Sequence, residues 1–175
     1  MSQSEEEKRY IAATKAALVN KDSKSVLAKI RELKKTGKAS ILSHILDLLK
    51  PDQKPEIKAE IFDLISNLRH QQSVPVVVKY IKQLKGTGDL SPLIASCWQS
   101  QLDYSDYLET FADCFITGTY QDAIESFTVI EEMVVFSNNI KIDKCRTHLL
   151  KRQPEVEKEK QPLFSELIKI LTLND

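Results

Sequence analysis

The stretch Ile41-Leu-Ser-His-Ile-Leu-Asp-Leu-Leu-Lys-Pro-Asp-Gln-Lys-Pro-Glu-Ile-Lys-Ala-Glu-Ile-Phe-Asp-Leu-Ile-Ser-Asn-Leu68 decides how the rest of the chain is read. Ile41, Leu42, Ile45, Leu46 and Leu49 recur at the spacing of one helix face, and Pro51 stops that helix. After a short turn Ile57, Ile61, Leu64, Ile65 and Leu68 do the same, with Pro55 placed where a first helical turn tolerates it. Two short amphipathic helices joined by a few residues cannot hide both apolar faces on one another. They need neighbours of the same kind.

Those neighbours are present in both directions. Shifting Leu42, Ile45, Leu46 and Leu49 forward by 35 residues reaches Val77, Tyr80, Ile81 and Leu84, and a further 31 reaches Leu108, Phe111, Ala112 and Phe115. The second helix repeats less cleanly, as Ile94, Cys97, Trp98 and Leu102, and then as Ala123, Ile124, Phe127, Ile130 and Val134. A period of this length is the signature of stacked helix pairs. The same reading gives about ten short helices in all. The first runs near Ser4 to Asn20 with Ile11 and Leu18 as anchors, and the second starts at an Asp22 or Ser23 cap with Val26, Leu27, Ile30 and Leu33 inward. Ser73 and Thr119 are expected to cap later helices, and Gly37, Gly86, Gly88 and Gly118 to terminate them by turning left-handed. Residues 151–162 read as a charged loop before a closing helix carrying Leu163, Phe164, Leu167, Ile168 and Leu171.

Residues 41 to 68 resemble a HEAT repeat, in which a first helix ends in Leu-Leu and a second opens with Val-Arg; Leu48 and Leu49 stand at the first feature, Ile57 and Lys58 at the second. The resemblance to this armadillo-type helical repeat family extends in phase over roughly residues 22–135, with Leu90-Ser91 and Tyr120-Gln121 standing where later Val-Arg pairs would be. It implies an all-α fold, a right-handed α-α superhelix of about five stacked antiparallel helix pairs, forming one domain over residues 1–175. It also implies a scaffold for proteins or nucleic acids, since such repeats are mostly that. Tetratricopeptide repeats have a similar period, but their small residues are missing from the matching positions.

Composition narrows the function classes. The chain has 25 Lys+Arg and 25 Asp+Glu in 175 residues, so net charge names no partner. An acid-rich start without an apolar run, and the lack of any apolar stretch of about 18 residues, predict a cytoplasmic protein without a signal or membrane span. Cys97, Cys114 and Cys145 are widely spaced, which argues against a disulfide framework or a structural zinc site; Cys145 and His148, one turn apart, are the only hint of metal ligation.

The charges are unevenly spread. Residues 1–85 carry 17 basic and 10 acidic side chains, residues 86–140 carry none and nine, and residues 141–175 carry eight and six. On the seventh helix Asp106, Glu109 and Asp113 share a face; on the eighth Asp122, Glu125 and Glu132 share the face opposite Ile124, Phe127 and Ile130, and Asp122 and Glu125 would line the concave side beside Gln99. Tyr104 and Tyr120 begin helices and are expected to stay partly exposed as contact residues. Together Gln99, Tyr104, Asp106, Glu109, Asp113, Tyr120, Asp122 and Glu125 form the expected surface for a basic protein or peptide. The alternative is nucleic-acid binding through Lys21, Lys24, Lys29, Arg31, Lys34, Lys35 and Lys38 of the basic amino-terminal part. Carboxylates on a solvated helix face supply no converging pocket for acid-base chemistry, so no catalytic residue and no cofactor are expected.

Overall fold

A computed structural model describes residues 5–19, 22–36 and 39–173. Its ten α-helices are α1 (Glu5–Leu18), α2 (Ser23–Thr36), α3 (Leu42–Leu46), α4 (Pro55–Ser66), α5 (Val74–Gln83), α6 (Leu90–Ser100), α7 (Leu108–Thr117), α8 (Tyr120–Val134), α9 (Asn139–Lys151) and α10 (Gln161–Leu173). No strand occurs among the described residues, and none of the helices there is long and apolar enough to cross a membrane.

Most helices two apart in sequence are neighbours in space. Among the even-numbered helices α2 packs on α4, α4 on α6, α6 on α8 and α8 on α10; among the odd ones α1 packs on α3, α3 on α5 and α7 on α9. Consecutive helices also meet, most extensively α7 with α8. The stripes explain the arrangement. Ile30, Ile61, Ile65, Val77, Ile81, Ile94, Phe111, Phe115 and Ile130 are all withdrawn from solvent, in one continuous core. Each such side chain contributes about 1.5–3 kcal/mol when fully buried.

Polar cross-links repeat with the same step. On the even side Arg31 donates to Glu60 at 2.9 Å, Lys58 to Asp89 at 2.8 Å, Ser66 to Gln99 at 2.9 Å, Ser91 to Asp122 at 2.5 Å and Trp98 to Glu125 at 3.0 Å. Their sequence separations run from 27 to 33, one helix pair each. On the odd side the Tyr80 hydroxyl reaches back from α5 to Asp47 and to the Ser43 carbonyl.

Helix ends follow local chemistry with some departures. Asp22 caps α2 by accepting the Lys24 and Ser25 N–H groups, and Thr119 with Asp122 forms a reciprocal capping box on α8. Ser73 precedes α5 but makes no side-chain cap; its hydroxyl is buried instead. Gly86 turns left-handed at φ 78°, whereas Gly118 is extended at φ −82°, ψ −177°, and Gly37 lies outside the described residues. The third helix is shorter than expected at both ends: a 3-10 turn at Ala39–Ile41 takes up its start, and after Leu46 the Leu48 and Leu49 N–H groups bond three residues back in a turn before Pro51. On α8 the buried face is Ala123, Ser126, Val129, Ile130, Met133 and Val134, while Ile124 and Phe127 are only half-buried. That helix touches α6, α7 and α10 at once, so its covered arc is wider than a single stripe and rotated from it. The segment 151–162 is not a free loop: it forms two 3-10 turns, Gln153–Glu155 and Lys158–Lys160, and buries Val156 and Lys160.

Candidate interaction surface

Glu109 and Asp113 of α7, and Asp106 in the 3-10 turn Ser105–Tyr107 before it, do not face solvent unopposed. Helix α9 returns the chain alongside α7 and supplies the cations that residues 86–140 lack. Lys141 pairs with Asp106 at 2.7 Å and also donates to the Ser105 hydroxyl at 2.9 Å. Asp113 takes the His148 Nε2–H at 2.7 Å and the Arg152 guanidinium, with Lys85 at 3.8 Å on its other oxygen. Glu109 stands 3.9 Å from His148 Nδ1. His148 is therefore committed to α7, and Cys145 one turn earlier points into the core. Among the described residues no group of three or more His, Cys, Asp or Glu side chains is arranged to hold a metal ion.

The first two carboxylates of α8, Asp122 and Glu125, are used on the opposite side, against α6. Asp122 is 3% exposed. Its Oδ2 accepts the Thr119 N–H at 2.7 Å and the Thr119 hydroxyl at 2.8 Å, and its Oδ1 accepts Ser91. Glu125 accepts the Trp98 indole N–H and, at 2.7 Å, the Gln121 amide. Gln99 is exposed and held by Ser66. Tyr104, expected at the surface, is fully buried: its N–H points at Met133 Sδ 3.0 Å away, its ring sits edge-on to Phe111, and its hydroxyl lies beside Cys97 and Ser100. Tyr120 is exposed as expected. The eight residues thus fall on the α7–α9 seam, on the α6–α8 seam, on the α4–α6 seam, in the core and at the start of α8, and do not form one acidic wall.

The three thiols are inert at neutral pH. Burial pushes Cys97 and Cys145 up to about 12 and Cys114 up to about 11, far from the thiolate form a nucleophile needs.

Once these pairings are set aside, two carboxylates of the Lys- and Arg-free window are left. Glu131 and Glu132 in the last turns of α8 are exposed, and their side chains have no partner among the described residues. Four residues further on, at the next turn of the same faces, are Val135 and Phe136, which are 83% and 60% exposed; Ile140 at the start of α9 is 67% exposed. Asn138 caps α9 by accepting the Lys141 N–H at 3.0 Å, which fixes the turn between them. The result is a small apolar shelf with two free carboxylates on its flank. Its signal was present in the run Met133-Val134-Val135-Phe136: four consecutive apolar residues on a helix cannot all face one core.

The basic amino-terminal side chains are partly spent in the same way. Arg31 and Lys34 pair with Glu60 and Asp63 across α2 and α4, and Lys29 pairs with Glu32. Lys21 and Lys38 lie outside the described residues. Between the ends of α2 and α4 is a cleft of about 130 Å³ with an apolar floor including Leu33, Ile41, Ile45 and Leu68, rimmed by Lys34, Lys35, Arg69 and His70. The side chains of Lys35 and His70 have no partner among the described residues.

No protein-family model matches the sequence, and searches of curated proteins and of solved structures return no match.

Proposed function

We propose that the chain is a non-enzymatic helical-repeat scaffold of HEAT-like, right-handed superhelical build, which binds a basic protein or peptide carrying an apolar anchor. The contact surface is the shelf of Glu131, Glu132, Val135, Phe136 and Ile140, in place of the broader acidic face first read from the sequence. One observation carries this reading: the two middle-region carboxylates without an internal partner stand beside three large apolar side chains left in water. Isolated exposed apolar residues need no explanation, but a cluster joined to unpaired charge of one sign is the composition of an interface. The repeating cross-links of 27 to 33 residues support the stacked-pair architecture beneath it. Phosphate recognition by the amino-terminal helices ranks second, because Arg31 and Lys34 are engaged by Glu60 and Asp63.

The test is fluorescence anisotropy with a labelled amphipathic Lys/Leu peptide, an acidic peptide of the same apolar content, and a short single-stranded DNA. The basic peptide should bind, with affinity falling as salt rises. The Phe136→Asp variant, a hot-spot loss of at least about 2 kcal/mol, should weaken it roughly thirty-fold, with Glu131→Lys/Glu132→Lys acting in the same direction. Equal binding of both peptides, or an effect of Asp106→Lys but none of Phe136→Asp, would remove the shelf from the account.

A further inference from the structure

The even-to-odd turns of the stack lie in a row along one edge, held by turn-to-turn bonds. Arg69, in the turn after α4, donates to the Ser100 carbonyl at 3.4 Å, and the Asp103 N–H donates to Gln71 at 3.0 Å, joining the α4–α5 turn to the α6–α7 turn. Tyr104 to Met133 and Lys141 to Ser105 then join the α6–α7 turn to the end of α8 and the start of α9. The apolar cleft rimmed by Lys34, Lys35, Arg69 and His70 opens beside the first of these joined turns, and the shelf stands at the last.

The two ends of the row are complementary. One offers a concave apolar floor with Lys35 and His70 unpartnered at its rim; the other offers a projecting Phe136 and Val135 with unpartnered anions. We infer that the occupant of the cleft is the shelf of a second copy of this chain, with Phe136 entering the cleft and Glu131 and Glu132 meeting Lys35 and His70. This rests on the proposed role of the shelf and names its partner. Because the two contacting surfaces differ, the contact is heterologous: a joined pair keeps one free cleft and one free shelf, and further copies add in line at these ends. Opposite charge at the rim sets the polarity of addition, and the buried aromatic anchor supplies most of the affinity.

Sedimentation velocity on the full chain, from micromolar to millimolar concentration and at low and high salt, tests this. The weight-average mass should rise above the monomer's 20.0 kDa without a plateau at two copies, and fall back with salt. Phe136→Asp, which spoils the shelf, and Lys35→Glu/His70→Glu, which spoils the cleft, should each remain monomeric with unchanged far-ultraviolet circular dichroism. Mixed in equal amounts they should form a complex that stops at two copies, since one sound cleft and one sound shelf remain. Glu131→Lys/Glu132→Lys serves as a second shelf variant with the ring retained. A wild-type chain that stays monomeric, a dimer plateau indifferent to these changes, or a mixture that does not associate would overturn the inference. If the wild type is monomeric while the Lys/Leu peptide still binds in a Phe136-dependent way, only the self-association falls; if neither is seen, the shelf itself is not an interface.

Discussion

Gly118 sits where α7 stops and α8 begins, and what it provides is room. A β-carbon there would lie 2.6 Å from the Cys114 carbonyl oxygen and 2.6 Å from the Asp122 β-carbon, inside the capping box that starts α8. Its backbone is extended and open to any residue, so the requirement is steric and not conformational. Gln101 presents the reverse case. It ends α6 at φ 59°, a left-handed conformation that costs a side chain roughly 1 kcal/mol and costs glycine nothing. Gly118→Ala should therefore lower stability by roughly 1–3 kcal/mol, and Gln101→Gly should leave it unchanged or raise it by up to about 1 kcal/mol. Urea denaturation of the two variants checks both signs; a Gly118→Ala chain as stable as the parent would mean that the α7–α8 junction opens more easily than the packing implies.

At the scale of elements, the end of α7 is completed from far along the chain. Lys160 is fully buried, with its ammonium donating to the carbonyls of Gly118 at 2.5 Å, Ile116 at 3.1 Å and Phe115 at 3.5 Å, and with Glu157 at 3.3 Å. A cation at a helix C-terminus meets both the orphan carbonyls and the negative end of the dipole. Lys160→Met keeps the stem and removes these bonds, and should cost about 2–3 kcal/mol, lowering the melting temperature by roughly 5–10 °C. Calorimetry reads it, and no shift would assign the cap to solvent. This element also shows where local pattern is informative and where it is not. Helices such as α4 and α5 were legible because each buries one face, and Ile57, Ile61, Leu64 and Ile65 mark it. The segment around Lys160 was not, because a charged residue between Glu159 and Gln161 gives no local sign that α7 will cover it. Tyr104 was misplaced for a related reason: the turn after Gln101 drops it between Met133 and Phe111, two contacts that only packing creates.

Across the whole molecule the charge asymmetry is real, and most of it is resolved internally. The excess of acid in residues 86–140 is met by Lys141 and His148 from α9, by Arg152 just after it, and by Lys85 and Lys58 from the preceding part, at separations near one helix pair. Such pairing is invisible to a reading of one helix at a time, and it turns an apparent acidic wall into seams between helices. Surface ion pairs of this kind contribute only about 0–1 kcal/mol each, so their effect lies more in setting helix register than in adding stability. What the seams leave over is the shelf, the surface to which the proposed binding is assigned. The most direct measurement is a ¹H–¹⁵N correlation spectrum of the chain titrated with the Lys/Leu peptide. The account predicts perturbations gathered on residues 131–140. Perturbations centred on Asp106, Glu109 and Asp113, or on Asp122 and Glu125, with residues 131–140 unmoved, would contradict it.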